Sequence, residues 1–254
     1  MAEHNPPRLS AALLVASLAV GSVIAWLLLH PLPWPARAFT TLLLVPLPAL
    51  LILQLRVAED LPPEAEREAV YLSSALTVWA LAAVAMLAAR FSDFSREELR
   101  LVAPPFSTLL LASGLTVVAG LGIMALGRLL KVEESPLVHF LIPRSGSEKI
   151  AFAGLSFSAG IAEEVVFRSF LIAALYRASG SLALAVAVSV VIFAITHAYQ
   201  GWIGALRVGL LGFILTVPFL ITGSVYPSII AHTVLDLLAG LVLADWLRGS
   251  QKTP

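Results

Sequence analysis

Long apolar runs separated by short polar segments dominate the hydrophobic pattern of this chain. Runs of about 20 residues without charge are long enough to cross the ~30 Å hydrocarbon core of a bilayer as α-helices. Charge-free windows and helix breakers predict eight such spans, at residues 9–30, 37–55, 69–89, 106–127, 149–175, 181–199, 203–222 and 225–245. The pattern therefore predicts an all-α, polytopic membrane protein with about eight transmembrane helices packed as a bundle.

The composition supports this fold class and excludes several functions. Of the 254 residues, 59% are hydrophobic and 13% are charged, and the mean hydropathy is +0.94. Sixteen acidic and sixteen basic residues give a net charge of zero, which indicates no nucleic-acid partner. The chain has no cysteine. Disulfides, thiolate metal sites, a cysteine nucleophile and cysteine lipidation of this chain are therefore excluded.

The basic residues of the short loops predict how the spans are oriented. Ten share one side with both termini, namely Arg8, Arg56, Arg67, Arg128, Lys131, Arg144, Lys149, Arg207, Arg248 and Lys252. Five occupy the other side, namely Arg37, Arg90, Arg96, Arg100 and Arg177. Because cytoplasmic loops are enriched in lysine and arginine, we expect both termini in the cytoplasm, and in a prokaryote the membrane is then the plasma membrane.

Two connecting segments and several glycines carry further structural expectations. Residues 91–105 mix apolar and charged positions, which predicts a helix lying in the membrane interface, and residues 136–146 suggest a similar surface segment. Glycines in the fourth and seventh spans favour close helix packing, namely Gly114, Gly120, Gly122, Gly127, Gly209 and Gly212.

Two adjacent carboxylates and an arginine interrupt the fifth predicted span. Glu163, Glu164 and Arg168 are flanked by apolar sequence on both sides. A charged side chain at the centre of a membrane helix costs roughly 2.5–3.5 kcal/mol, so such groups are usually paired, inward-facing and functional. At i and i+4, Glu164 and Arg168 can meet on one helix face, while Glu163 points about 100° away. The spacing predicts one paired acid and one free acid, with a purely structural ion-pair cluster as the alternative.

Each of two later predicted spans contains a histidine that lies four residues from a second candidate residue. Phe193 precedes His197 by four positions near the end of the sixth span, and His232 precedes Asp236 by four positions in the last. One turn apart, the Asp236 carboxylate can hydrogen-bond one imidazole nitrogen of His232 and thereby determine its tautomer. Each histidine alone also fits a structural role, at a helix end for His197 and in a helix-bridging polar pair for His232.

Together, a free glutamate, two histidines and an orienting carboxylate have the composition of a hydrolytic site in a polar cavity. A glutamate in a low-dielectric cavity suits general-base chemistry near neutral pH, and an imidazole can position or deprotonate water. Glu163, His197 and His232 could equally bind zinc, since two histidines and one carboxylate leave a coordination position for water. The HExxH spacing that would argue strongly for zinc is absent. The residues leave both mechanisms open.

Three motifs in this order resemble those of a known membrane protease family. They are Glu163-Glu164-x-x-x-Arg168, Phe193-x-x-x-His197 and His232-x-x-x-Asp236, the last preceded by a typical lead-in at residues 222–231. This pattern is similar to the CPBP family, the CAAX prenyl protease and bacteriocin-processing group, also called Abi. The resemblance implies a catalytic core at residues 149–245, preceded by generic membrane helices at 1–148 and followed by a short tail at 246–254.

The resemblance also implies an activity and a role for each motif residue. The protein would be an intramembrane endopeptidase that acts on a membrane-associated peptide or protein, prenylated or unprenylated. Its catalytic glutamate would be Glu163, its water-activating residue His197, and its oxyanion stabilisers His232 and Asp236. The supporting residues would be Glu164, Arg168 and Phe193. The implied mechanism requires no cofactor, with zinc as the lesser option.

One motif position departs from the family pattern. The third motif often ends in asparagine, whose amide can donate a hydrogen bond to an oxyanion, whereas an ionised Asp236 only accepts. Asp236 therefore orients His232, is protonated, belongs to a metal site, or marks an altered activity. Two functions from other classes stay open: a peptide-binding or bacteriocin-immunity protein that uses the same cavity, and a proton-coupled transporter. The transporter ranks lowest because no inverted repeat or pair of broken helices is evident.

Overall fold

The computed structural model of the protein describes residues 11–58, 67–130 and 135–243, and this part of the chain is helical without any β-strand. Its α-helices are α1 (Ala11–Leu28), α2 (Trp34–Leu44), α3 (Pro46–Ala58), α4 (Arg67–Arg90), α5 (Phe106–Leu129), α6 (Pro136–Leu141), α7 (Gly146–Glu163), α8 (Ile172–Ser179), α9 (Leu182–Thr196), α10 (Gly201–Thr222) and α11 (Tyr226–Leu237). Two π-helical stretches, Glu164–Leu171 and Leu238–Val242, and one 3-10 turn, Ala198–Gln200, complete the helical structure.

The apolar helices agree with the predicted architecture. Five helical segments of the described chain are long and apolar enough to cross a bilayer, namely Trp34–Leu53, Arg67–Arg90, Phe106–Leu129, Gly146–Ser179 and Ala198–Thr222. Three shorter apolar helices are Leu13–Leu28, Leu182–Thr196 and Tyr226–Val242. Each predicted span corresponds to one of these eight segments, with boundaries that differ by several residues. The prediction of an all-α, polytopic membrane protein is confirmed.

Two predicted spans contain interruptions of different kinds. In the second span, α2 ends at Leu44 and α3 begins at Pro46, because proline has no N–H to donate and its ring crowds the preceding turn. In the fifth span, α7, the π-helix and α8 follow one another without a break from Gly146 to Ser179. The N-terminal turn of α7 is capped by a capping box between Ser145 and Glu148. The π-helix begins at Glu164, inside the acidic motif.

The C-terminal helices pack around this long helix. α4 lies along α7, α11 lies between α5 and α7, and α9 packs against both α8 and α10. The buried alanines of α4, Ala82, Ala85, Ala88 and Ala89, belong to the hydrophobic core, and small residues of this kind allow helices to pack closely. The helices that carry the three sequence motifs are therefore neighbours in the bundle.

The segment between α4 and α5 consists of turns, so the predicted interfacial helix at residues 91–105 is wrong. Asp93 and Arg100 each have a φ of 52°, in the left-handed region that a right-handed helix excludes. This loop is stabilised by contacts with the guanidinium of Arg177, near the end of α8. The guanidinium donates to the backbone carbonyls of Ser92 and Asp93 and pairs with Glu98 at 2.6 Å. Tertiary contacts of this kind are not visible in the hydrophobic pattern.

The contacts of this loop also change the pKa of the Glu98 carboxyl group. Partial burial by itself would raise the pKa of Glu98, but hydrogen bonds from the Ser95 backbone N–H and from Arg177 hold that pKa below its usual value. Glu98 therefore stays ionised beside Arg177 at neutral pH.

The second predicted surface segment forms the short helix α6. The backbone carbonyls at its C-terminal end accept hydrogen bonds from α4: Phe140 from Arg67 at 2.6 Å, and Leu141 from the Tyr71 hydroxyl at 2.8 Å. Several residues used to predict orientation, Arg8, Lys131, Arg248 and Lys252, lie outside the described residues, as do the side chain of Arg56 and the tail at 246–254.

Candidate active site

The polar motif residues meet inside the bundle. Glu163 ends α7, Glu164 begins the π-helix, His197 follows the last residue of α9, and His232 and Asp236 lie in α11. Hydrogen bonds or ion-pair distances of 4.0 Å or less connect all five side chains. The structure therefore brings together the residues that the sequence proposes for catalysis, while their catalytic roles stay a prediction.

Glu164 is the structural centre of this cluster. It is 0% exposed, and its Oε1 accepts a hydrogen bond from Arg168 Nη1 at 2.9 Å. This is the i, i+4 ion pair that the spacing predicted. The same oxygen accepts a second hydrogen bond, at 2.8 Å, from Nδ1 of His232. Glu164 thus joins the first motif to the third.

His232 is oriented by Glu164, so the prediction that Asp236 determines its tautomer is wrong. A carboxylate accepts, which places a hydrogen on Nδ1 and directs Nε2 towards Glu163 and Asp236. Asp236 Oδ2 lies 3.6 Å from Nε2, beyond hydrogen-bond length. The spacing of four residues allowed a contact, but the buried Glu164 approaches the ring more closely from another helix.

His197 takes its orientation from Phe193. Its Nδ1 lies 2.8 Å from the Phe193 backbone carbonyl, and the two ring centroids are 4.6 Å apart. A carbonyl oxygen only accepts, so Nδ1 donates, and Nε2 of the neutral ring carries a lone pair. This nitrogen lies 4.0 Å from Oε2 of Glu163. The lone pair is thus available on the side of the ring that faces Glu163.

Glu163 lies between the two imidazoles. Its Oε2 is 4.0 Å from Nε2 of His197 and 4.0 Å from Nε2 of His232. This oxygen is buried and has no hydrogen-bond partner within the described part of the chain. Glu164 Oε2 is likewise buried without such a partner. Glu163 Oε2 differs from it in facing two imidazole nitrogens, an arrangement that suits proton transfer.

The zinc alternative requires His197, His232 and Glu163 to converge on one ion. Ligands at 2.0–2.1 Å from a tetrahedral zinc lie about 3.4 Å apart, whereas the Glu163 carboxylate lies 4.0 Å from each imidazole nitrogen. Across the residues that the structure describes, no group of three or more histidine, aspartate or glutamate side chains is arranged to hold a metal ion. The side chains as placed do not form a zinc site.

Sequence reasoning missed two neighbours of the site. The backbone carbonyl of Gly212, in α10, accepts a hydrogen bond at 2.9 Å from Nη2 of Arg168. The ring of Tyr199 lies 5.7 Å from that of His197. The signal for Gly212 was only a small residue in an apolar span, and the signal for Tyr199 was its closeness in sequence to His197.

Comparison with known families identifies a domain over the same helices. Residues 146–238 match the family model described as type II CAAX prenyl endopeptidase Rce1-like. Comparisons with curated proteins and with solved structures found no match. The matched range contains all three motifs, and the N-terminal helices lie outside it. Residues 146–238 of this integral membrane protein are therefore similar to type II CAAX prenyl endopeptidases, in agreement with the family that the three motifs resemble.

Proposed function

We propose that the protein is an intramembrane endopeptidase that hydrolyses a peptide bond in a membrane-associated substrate. The family match supports the general activity. The observation that carries the proposal is the position of Glu163 Oε2, which is buried, has no hydrogen-bond partner in the described chain, and lies 4.0 Å from two imidazole nitrogens. Two polar atoms at this separation can both contact one water molecule at ordinary hydrogen-bond length.

Glu163 and His197 would activate that water. Oε2 of Glu163 takes a proton from the water as the water oxygen attacks the scissile carbonyl carbon. Because Nδ1 of His197 donates to the Phe193 carbonyl, the lone pair on Nε2 can accept the second hydrogen of the water and hold the water in line. The proton on Glu163 then passes to the leaving amine as the C–N bond breaks.

His232 would stabilise the oxyanion that forms on the carbonyl. Its Nδ1 hydrogen is committed to Glu164, so donation to the oxyanion requires a hydrogen on Nε2. The carboxylates of Asp236, 3.6 Å from Nε2, and Glu164, 2.8 Å from Nδ1, compensate the positive charge of a doubly protonated ring after Glu163 has taken the water proton. Asp236 thus acts through its negative charge. This role accounts for aspartate at the end of the third motif, where the family often has asparagine.

The first test is cleavage by the purified protein in lipid nanodiscs. We expect hydrolysis of at least one member of a panel of matched prenylated and unprenylated peptides. His197→Ala is expected to lower kcat about 10²-fold or more, since it removes the group that positions the water. Product masses identify the cleaved bond, and initial rates give kcat and KM.

His30→Ala is the matched control, because His30 is exposed and lies in the turn after α1. It is expected to keep the wild-type rate. Full activity of His197→Ala would contradict the mechanism. A wild-type protein that binds the peptides but cleaves none would instead favour the peptide-binding or immunity function.

Metal dependence distinguishes this mechanism from a zinc-dependent one. Because the distances of 4.0 Å around Glu163 do not match the spacing of zinc ligands, we expect cleavage to survive treatment with a strong chelator. Metal content by mass spectrometry should then fall well below one equivalent per chain in the active enzyme. Zinc at one equivalent, with activity lost on chelation and restored by zinc, would make His197, His232 and Glu163 the candidate ligands and overturn this mechanism.

A further inference from the structure

Helix α10 supplies none of the motif residues, yet Gly212 in α10 contacts the site through its backbone. The buried Gly212 carbonyl accepts a hydrogen bond at 2.9 Å from Nη2 of Arg168, itself 1% exposed. Nη1 of the same guanidinium holds Glu164, and Glu164 holds Nδ1 of His232. An unbroken chain of hydrogen bonds therefore runs from the α10 backbone to the His232 imidazole.

Gly212 also contributes through its missing side chain. A Cβ atom at this position would lie 2.8 Å from Cδ1 of Phe193 and 3.2 Å from Nη2 of Arg168. Carbon atoms in favourable contact are about 3.5–4.0 Å apart, so a methyl group here would displace the Phe193 ring or the guanidinium. The ring occupies space that only glycine leaves open.

The Phe193 ring is enclosed by the groups of the site. The guanidinium carbon of Arg168 lies 4.4 Å from its centroid, and the imidazole of His197 lies 4.6 Å away. His232 approaches at 6.3 Å with the rings at 86°, and Phe167 packs edge-on at 5.1 Å. A ring held on several sides cannot yield without moving its neighbours. Displacement of Phe193 would therefore move both imidazoles that face Glu163.

We propose that Gly212 is a positioning residue of this site, acting through Arg168 and Phe193 on the orientation of His232 and His197. Its carbonyl anchors the guanidinium, and its lack of a Cβ allows the aromatic ring to pack between the two histidines. The kinetic consequence rests on the proposed peptidase function, whereas the structural consequence does not.

Gly212→Ala is expected to lower kcat about 10²-fold with KM close to wild type. A misplacement of catalytic groups by about 1 Å can have an effect of this size, and Gly212 has no proposed contact with substrate. Gly209→Ala is the matched control: it lies on the same helix, and its Cβ would meet Ala194 of α9 at 3.1 Å. That variant adds the same methyl group to the same helix pair, but against the Ala194 methyl group rather than the Phe193 ring or the Arg168 guanidinium, and should retain kcat.

A second variant separates positioning from general damage to the helix. In a Phe193→Leu background the smaller side chain makes room for a methyl group, so adding Gly212→Ala should reduce kcat far less than it does in the wild type. This non-additivity is the signature of a contact between the two positions. If Gly212→Ala alone does not fold, comparing kcat of Phe193→Leu with that of the double variant still tests the contact. Equal losses in both backgrounds would overturn the inference.

A third measurement does not depend on peptidase activity. The chain has five histidines, so ¹⁵N-histidine labelling gives a small set of imidazole resonances. Those of His197 and His232, assigned with single substitutions, should shift in Gly212→Ala and stay unchanged in Gly209→Ala. Unshifted resonances would overturn the inference. Shifted resonances in a protein that cleaves no peptide would uphold the positioning role and refute the proposed function alone.

Discussion

Glu163→Gln is expected to lower kcat about 10³-fold or more while the protein stays folded. Glutamine has the shape of glutamate, but its amide cannot take a proton from water at neutral pH. Glu163 makes no hydrogen bond through Oε2 in the described chain, so the substitution breaks no structural contact of that atom. KM should change little, because the carboxylate acts on the water rather than on the bound peptide.

Single-turnover rates at saturating peptide measure this effect directly. Glu68→Gln provides the control, since Glu68 is an exposed carboxylate in the first turn of α4. It should cleave at the wild-type rate. If Glu163→Gln and Glu68→Gln cleave equally fast, Glu163 is not the general base. If both variants bind peptide normally, a binding defect cannot account for slow cleavage by Glu163→Gln.

The sequence was sufficient for the architecture because the bilayer imposes strong constraints. Backbone groups in hydrocarbon must be paired within the chain, so each long charge-free run is read as a helix. The same reasoning located the ion pair between Glu164 and Arg168, since both partners lie on one helix and geometry alone relates them. Contacts between near neighbours in sequence were predictable.

Contacts between helices were not. The hydrogen bond from His232 to Glu164 joins residues 68 positions apart, and nothing in either motif specifies it. The prediction for Asp236 failed for this reason, because helical spacing shows which residues can meet and not which partner lies closer. The loop at residues 91–105 was misassigned in the same way, since Arg177 reaches it from the end of α8.

The π-helix that begins at Glu164 was equally invisible to periodicity. On an α-helix, adjacent residues diverge by about 100°, which suggested that Glu163 and Glu164 serve separate surroundings. In the structure they approach the same imidazole from its two nitrogens, Glu164 at Nδ1 and Glu163 at Nε2. π-helical turns are rare and frequent at functional sites. Here the turn coincides with the pair of carboxylates that flank His232.

Arg168→Met is expected to destabilise the protein by about 3–5 kcal/mol, the usual effect of removing one partner from a buried ion pair. Methionine fills much of the space but leaves Glu164 charged at 0% exposure with only His232 as a donor. It also removes the hydrogen bond to Gly212 and the contact with the Phe193 ring. Titration with a denaturing detergent, followed by tryptophan fluorescence or circular dichroism, measures the loss.

Arg90→Met is the control, because Arg90 is exposed at the end of α4, and its unfolding midpoint should stay near that of the wild type. The double variant Glu164→Gln with Arg168→Met should recover part of the lost stability, since the uncompensated buried charge is then gone. If Arg168→Met unfolds like Arg90→Met, the buried pair does not stabilise the bundle. If the double variant is no more stable than Arg168→Met, the buried Glu164 charge is not the cause of the lost stability. The stabilisation would then come from the contacts of Arg168 with the Gly212 carbonyl and the Phe193 ring.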